Sequence, residues 1–522
     1  MPYGIETTLI ERITPMVREL VTTGTRVLAG LRYADVRVEV TEGKFAGAEN
    51  GEPKSSGDDY ALAFGVRVLA GARMIAPGYF GRGLGAADVP HLARILEDGL
   101  RSAYRRATAN AEVKAEIRGK FGSLGEALAD TRLHPIQVRQ AIVPAVFEID
   151  PRGVLLDEMQ RFTTDVSWRV RAADRTVSYN YISTMTQLSR ELFASSEGAL
   201  IDQSFALTQG MCYVVGTGPD NSQELYDVVG HQRGWEILTQ GVAEPMVEMA
   251  PFPEFSLAMA ADAVALARAP VLVAPPGEVT VVTDPHYNTL LSHEIIGHPV
   301  ELDRGLKMET AYAGRTWLLR GLDDTQVGKR IASPLVSAFS DPSLPGYGHY
   351  DYDHEGTPAR RVVHIDRGIF TGFMNSRQTA AIFGGDPNGH WKATEASLVP
   401  LVRMSTTVFG GGDQDPDDLV RDVDHGYYLV GHRTPSIAES RENFRISARK
   451  VYEIRRGRIG QLYRDGGIMA DSRDFLMHVD GVGRDFRVYP IPNCGKGQPM
   501  QTRKLGNGGP TLRSRAILTG GA

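Results

Sequence analysis

The sequence predicts an α+β fold with mixed, largely antiparallel sheets, flanking helices and a β-rich C-terminal half carrying one short functional helix. Three observations support it. Val36, Val38 and Val40, then Leu62, Phe64, Val66 and Val68, alternate with a period of two, as half-buried strands do. Leu92, Ile95, Leu96, Leu100 and Tyr104 recur at helical spacing. Beyond residue 277, short apolar runs are punctuated by glycine, a pattern of many short strands.

In chain order, a helix is expected over Ile5 to Leu28, interrupted or started at Pro15. The two alternating strands follow, and then a helix from Ala87 to Ile117, whose apolar stripe is core rather than a binding face. From Phe162 to Ile182 the alternation of Val166, Trp168 and Val170 with polar neighbours predicts strand. A helix is expected near Phe255 to Ala267. The prolines from Ala269-Pro270 to Pro275-Pro276-Gly277 mark a boundary. The expected division is an N-terminal α+β region, 1–270, with room for subdomains 1–125 and 126–270, and a C-terminal β-rich domain, 271–522. Asp284-Pro285 supplies a cap and a first-position proline for the next helix, which Leu290, Leu291 and Ile295 give an apolar face. Gly410-Gly411-Gly412-Asp413 lacks the Lys-Ser/Thr of a phosphate loop and reads as a turn, and Asp415-Pro416-Asp417-Asp418 opens a short helix.

With 522 residues, 42% hydrophobic and 23% charged, the chain has ample core for two to four domains. A net charge of -6 argues against a nucleic-acid surface, and the Arg455-Arg456-Gly457-Arg458 cluster reads as a solvated hairpin turn. No stretch approaches the ~20 apolar residues that span a bilayer. Glu6 and Glu11 stand where a signal peptide carries a basic lead, so a cytoplasmic protein is expected. No internal repeat or low-complexity tract is present.

The chemistry concentrates in His293-Glu294-Ile295-Ile296-Gly297-His298, two imidazoles and a carboxylate that can hold a zinc ion and work on its water. Composition alone yields roughly 0.04 such matches by chance. The histidines are five apart rather than the four of the common zinc helix motif, and five steps of ~100° point two rings apart on a regular α-helix. Two devices can reunite them: Gly297 and Pro299 ending the helix at His298, or a one-turn π-bulge. Failing either, the segment is an ordinary helix with locally bonded histidines.

A catalytic zinc needs a third protein ligand, and the chain has two cysteines. Cys494 lies in Pro492-Asn493-Cys494-Gly495-Lys496, where glycine permits close approach and Lys496 can favour the thiolate. Cys212 precedes Tyr213-Val214-Val215 and reads as a buried, inert strand thiol. So few cysteines and no export signal argue against a disulfide. Glu301 and Asp303 are expected to orient an imidazole or serve structure rather than ligate. His349, His354 and His390 lack partners at ligand spacing; near the turn-rich Ser343 to Gly348, His354 is expected in a solvated or turn-stabilising role.

On these residues the chain resembles the TldD branch of the TldD/PmbA family of metallopeptidases, over nearly its whole length. The blocks that carry the resemblance are His293 to His298 with Glu301-Leu302-Asp303, Asp353-His354-Glu355-Gly356-Thr357-Pro358-Ala359-Arg360-Arg361, Gly372 to Arg377, Arg403-Met404, Cys494 to Gln498, Gly520-Gly521, and the N-terminal Tyr33 to Arg37 and Gly65 to Val68. It implies zinc held by His293, His298 and Cys494, with Glu294 as general base or acid on the zinc-bound water. It also implies a substrate of peptides or unfolded segments, and a homodimer or a heterodimer with a metal-free relative. Ile295 and Ile296 are bulkier than the family's small residues, Pro299 follows the second histidine directly, and Ser405-Thr406-Thr407 replaces an Asn-containing run. These departures bear on substrate contacts rather than the metal. Two alternatives stand beside this reading: a non-catalytic peptide-binding subunit with a structural metal, and an amidase acting on a small substrate.

Overall fold

A computed structural model describes residues 5–120, 122–311 and 314–521 of the chain. In the N-terminal region the order is α1 (Leu9–Val27), β1 (Leu31–Glu49), β2 (Glu52–Ala70), β3 (Ala76–Leu84), α2 (Leu92–Ile117), α3 (Gly122–Ala129), β4 (Gln140–Val143), α4 (Leu156–Ala173), β5 (Val177–Ser195), β6 (Leu200–Thr217) and β7 (Ser222–His231). These strands form one seven-stranded sheet, β3-β2-β1-β5-β6-β4 with β7 on β6, antiparallel except for the β4–β6 pair. Ile10, Ile13, Val17 and Val21 of α1 and Leu92, Leu96 and Leu100 of α2 cover one end with a single core.

Pro15 neither starts nor breaks α1, because the helix runs through it and its apolar face still packs on the sheet. The predicted strand across Val166 to Val170 is instead helix α4. Met159, Thr163, Val166 and Val170 are buried at three- and four-residue spacing, and Trp168 is 61% exposed. The short alternating window concealed that longer period. Strand begins only at Val177.

After the short α5 (Glu236–Thr239), β8 (Val242–Glu244) and β9 (Val247–Met249), α6 (Phe252–Arg268) packs beneath β6 and ends before the proline-rich segment. Next come β10 (Glu278–Thr283) and α7 (Tyr287–Ser292). β10 lies in a second seven-stranded sheet, paired in parallel with strand 425–437 and antiparallel with strand 512–519. A third, six-stranded sheet ends in strands 406–409, 501–509 and 487–496. One of its faces joins the N-terminal core through Phe339, Val408 and Val488. On the other, Ile491, Cys494 and Leu505 meet Leu291 and Ile295 of the functional helix. The C-terminal half is thus mainly β with that helix packed on it, and the Asp415 cap and the Arg456-Gly457 hairpin turn stand as predicted. Among the described residues no helix is long and apolar enough to cross a membrane.

Buried charges bind the N-terminal sheet to the later segment Asp353-His354-Glu355. Arg67 reaches Asp35 at 2.6 Å and Glu355 at 3.1 Å. His354 meets Arg37 at 2.8 Å and Glu191 at 3.0 Å, while Arg377 grips Glu197 with both terminal nitrogens. His354 is therefore fully enclosed rather than a solvated turn residue: burial, then Lys392, hold it neutral, so Nε2–H donates to Glu191 and Nδ1 accepts. Replacing Arg67 by Met strands two buried carboxylates, and breaking such pairs costs about 3–5 kcal/mol. Denaturant unfolding of Arg67→Met should show a loss of that size; an unchanged midpoint would refute a structural role for this junction.

Candidate metal centre

α7 begins where Asp284 accepts the backbone N–H of Tyr287 at 2.6 Å, as the sequence predicts of that cap. At His293 the hydrogen-bond ladder widens. Residues His293–Gly297 form a π-turn in which the His298 N–H donates to the His293 carbonyl at 3.1 Å. Of the two devices open to the sequence, the bulge is the one adopted, and it returns residues five apart to one side. Gly297 permits it, since a Cβ there would lie 2.0 Å from the Met404 sulfur.

The His293 and His298 rings stand edge to face, centroids 4.7 Å apart. Cys494 Sγ lies 3.7 Å from His298 Nε2, and one donor atom from each of the three side chains falls within 4.8 Å of the others. All three are buried. Cys212 lies far off in β6, buried, its thiol pushed up to about 12 mainly by desolvation.

Further hydrogen bonds aim the rings. Asn507 Nδ2 donates to the Thr407 carbonyl, which turns Oδ1 toward His293 Nδ1 at 3.0 Å and leaves Nε2 for a cation. Glu301 Oε2 lies 3.1 Å from His298 Nδ1 and accepts from Arg304 Nε at 2.7 Å. Lys496 lies 3.2 Å from Glu301 and 2.7 Å from Asp303. Glu301 thus orients an imidazole and Asp303 anchors Lys496, in keeping with the non-ligating roles expected of both. Lys496 does not serve Cys494 as the sequence suggested. Burial opposes ionisation of Cys494, but His293, His298 and Arg403 together hold its thiol well below the ordinary range. Burial likewise disfavours a charged His293, yet Cys494 and then Glu294 raise it to about 9.

Glu294, on the π-turn beside His293, is 8% exposed and pairs through Oε2 with Arg441. Burial raises its pKa, and His293, His298 and Arg441 bring it below the usual carboxylate range. Arg441 sits in the turn between strands 425–437 and 443–455 at φ 66°. Nothing in the sequence marked Arg441 or Asn507: one is a lone arginine in a polar turn, the other lies inside a glycine-rich strand.

Two imidazoles and a readily ionised thiol, buried and mutually close, fit a zinc ion. Residues 276–521 match the model of the PmbA/TldA metallopeptidase C-terminal domain. A metalloprotease of Methanothermobacter thermautotrophicus is 31% identical over 340 residues, covering 65% of this chain and 69% of that protein. A zinc metalloprotease TldD homolog of Saccharolobus solfataricus is 28% identical over 249 residues, 47% of this chain and 52% of its own length. Among solved structures, TldE from Thermococcus kodakarensis shares the fold at 16% identity and a TM-score of 0.65, covering 96% of this chain and 99% of that one. The matched domain and these metalloprotease relatives define a metallopeptidase. The chain belongs to the TldD/PmbA family.

Without an ion, His293 carries a proton below about pH 9 that a metal must displace, whereas the Cys494 thiol is held well below its ordinary range. Apparent zinc affinity should therefore rise about tenfold per pH unit from 7 toward 9, with release of one proton. Calorimetry in buffers of different ionisation enthalpy reads that proton. Glu301→Gln should weaken zinc binding about 10–100-fold, measured by competition with a chromophoric chelator; unchanged affinity would remove Glu301 from the site.

Proposed function

We propose that this chain is a zinc-dependent peptidase acting on peptides or unfolded polypeptide segments, with His293, His298 and Cys494 holding the ion and Glu294 handling the proton. The observation that carries this reading is the convergence of three donors from residues 293 to 494 beside a buried carboxylate. When bound, zinc supplies Lewis acidity toward a carbonyl oxygen and toward water.

The chain's own residues do the rest. Arg441 holds Oε2 of Glu294, leaving Oε1 to take a proton from the attacking water and return it to the departing amine. Because Arg441 pairs with this carboxylate and favours its charged form, it is ready as a base at neutral pH. Asn507 and Glu301 fix the imidazoles, so the site is ordered before substrate arrives. His293, Glu294 and His298 are each less than a tenth exposed, which favours an extended strand over a folded surface as substrate. A structural metal would be closed by a fourth protein ligand and would need no carboxylate. Among the described residues the cluster has three donors, which favours catalysis over the purely structural role.

Glu294→Gln should keep one equivalent of zinc while losing about 10²–10⁴-fold in cleavage of an unstructured peptide, the scale of general acid–base catalysis. Cys494→Ala should instead lose the metal. Metal analysis paired with peptide digestion checks both, and full hydrolysis by Glu294→Gln or undiminished zinc in Cys494→Ala would overturn the assignments.

A further inference from the structure

Between the N-terminal sheet and strands 487–496 and 501–509 lies a cavity of about 200 Å³. Glu39 and Glu191 line it from β1 and β5, and Asn493, Arg503 and Lys504 from the opposing strands. Asn493 lines this cavity, whereas neighbouring Cys494 reaches His298.

Three charged groups on its walls, Lys504, Arg503 and Glu39, make no ion pair among the described residues. Lys504 Nζ donates to Gln209 Oε1 at 3.3 Å and lies 5.4 Å from the Tyr347 ring centroid, and among the described residues no carboxylate pairs with it. Burial alone lowers it to about 8. Arg503 bonds the Ala393 carbonyl at 2.9 Å, and its buried Nε has no partner. Across the cavity, Glu39 accepts only the Ala396 N–H, at 3.0 Å, and among the described residues no cation lies within ion-pair reach. Burial, then the neighbouring Glu191 carboxylate, raise it to about 7 against the more distant pull of Arg503, Lys392 and Arg37. Glu191 itself is satisfied by Lys392 and His354, both at 3.0 Å.

Buried charge without a partner is costly. Here cations on one wall and a carboxylate on the other share a cavity without pairing, so the ligand that relieves both carries one charge of each sign. We infer that this cavity binds a free amino acid or a dipeptide, its carboxylate on Lys504 and Arg503 and its ammonium on Glu39. The volume lies below the ~300–1,000 Å³ of sites for drug-sized ligands, in keeping with one or two residues. The site is separate from the metal donors and does not depend on the peptidase reading.

Calorimetric titration of the dipeptide Ala-Ala into the full-length chain tests it, using the metal-free protein and the zinc-loaded Glu294→Gln variant. Both should bind one equivalent alike. Lys504→Met and Glu39→Gln should each weaken binding at least tenfold with zinc content unchanged. On the unsubstituted metal-free chain, N-acetyl-Ala-Ala and Ala-Ala amide should bind at least tenfold more weakly than Ala-Ala, a comparison that needs no variant to fold. Absence of binding, equal binding of the blocked dipeptides, or undiminished affinity in Lys504→Met would each overturn the proposal.

Discussion

Two histidines five residues apart do not face one cation from a regular α-helix, and here the helix between them is widened. The hydrogen bond from His298 N–H to the His293 carbonyl is that widening, and the centre depends on it. Its surroundings keep it in place. Met404 fills the space a side chain at position 297 would need, and Ser292, one residue before the turn, bonds the Thr407 carbonyl and the Gly508 N–H. Helix and sheet are therefore fastened together where Asn507 and Cys494 complete the site. The bulky Ile295 and Ile296 fit the same arrangement, since both point into the C-terminal core.

A second constraint is charge held out of water. Arg304, Glu301, Lys496 and Asp303 form a chain of buried ions behind His298, and Arg67, Asp35 and Glu355 form another between the halves, to which Arg377 adds a backbone N–H donated to Glu355. Such networks add little stability compared with apolar packing, but they tolerate few alternative arrangements. In this chain they fix the direction of an imidazole and the seating of one sheet on another. The block Asp353-His354-Glu355, which carried part of the family resemblance, belongs to the second network rather than to the metal centre.

Much of this was legible in the sequence, for identifiable reasons. Long amphipathic patterns such as Leu92 to Tyr104, and strands that alternate over many residues such as those at Val36 and Val66, report directly on burial. The motif and Cys494 could be paired because few residue types bind zinc and the chain holds only two cysteines. Failures came where local pattern and tertiary context diverge. Val166, Trp168 and Val170 alternate over a window too short to separate strand from helix, and Lys496 sits beside Cys494 in sequence while its ammonium turns to carboxylates 193 and 195 residues earlier. Arg441 was invisible because its importance comes from a turn that carries it to Glu294, 147 residues away in the chain.

The wide spacing of the donors also bears on how the protein matures. Cys494 lies 196 residues downstream of His298. At typical synthesis rates of 5–20 residues per second, roughly 10–40 s pass between emergence of the histidines and emergence of the sulfur. A nascent chain on the ribosome thus presents the two imidazoles alone, and the three-donor cluster forms only once Cys494 has emerged. Until then the π-turn lacks the strands 487–496 and 501–509 that brace it, and premature loading by a competing cation finds no finished pocket.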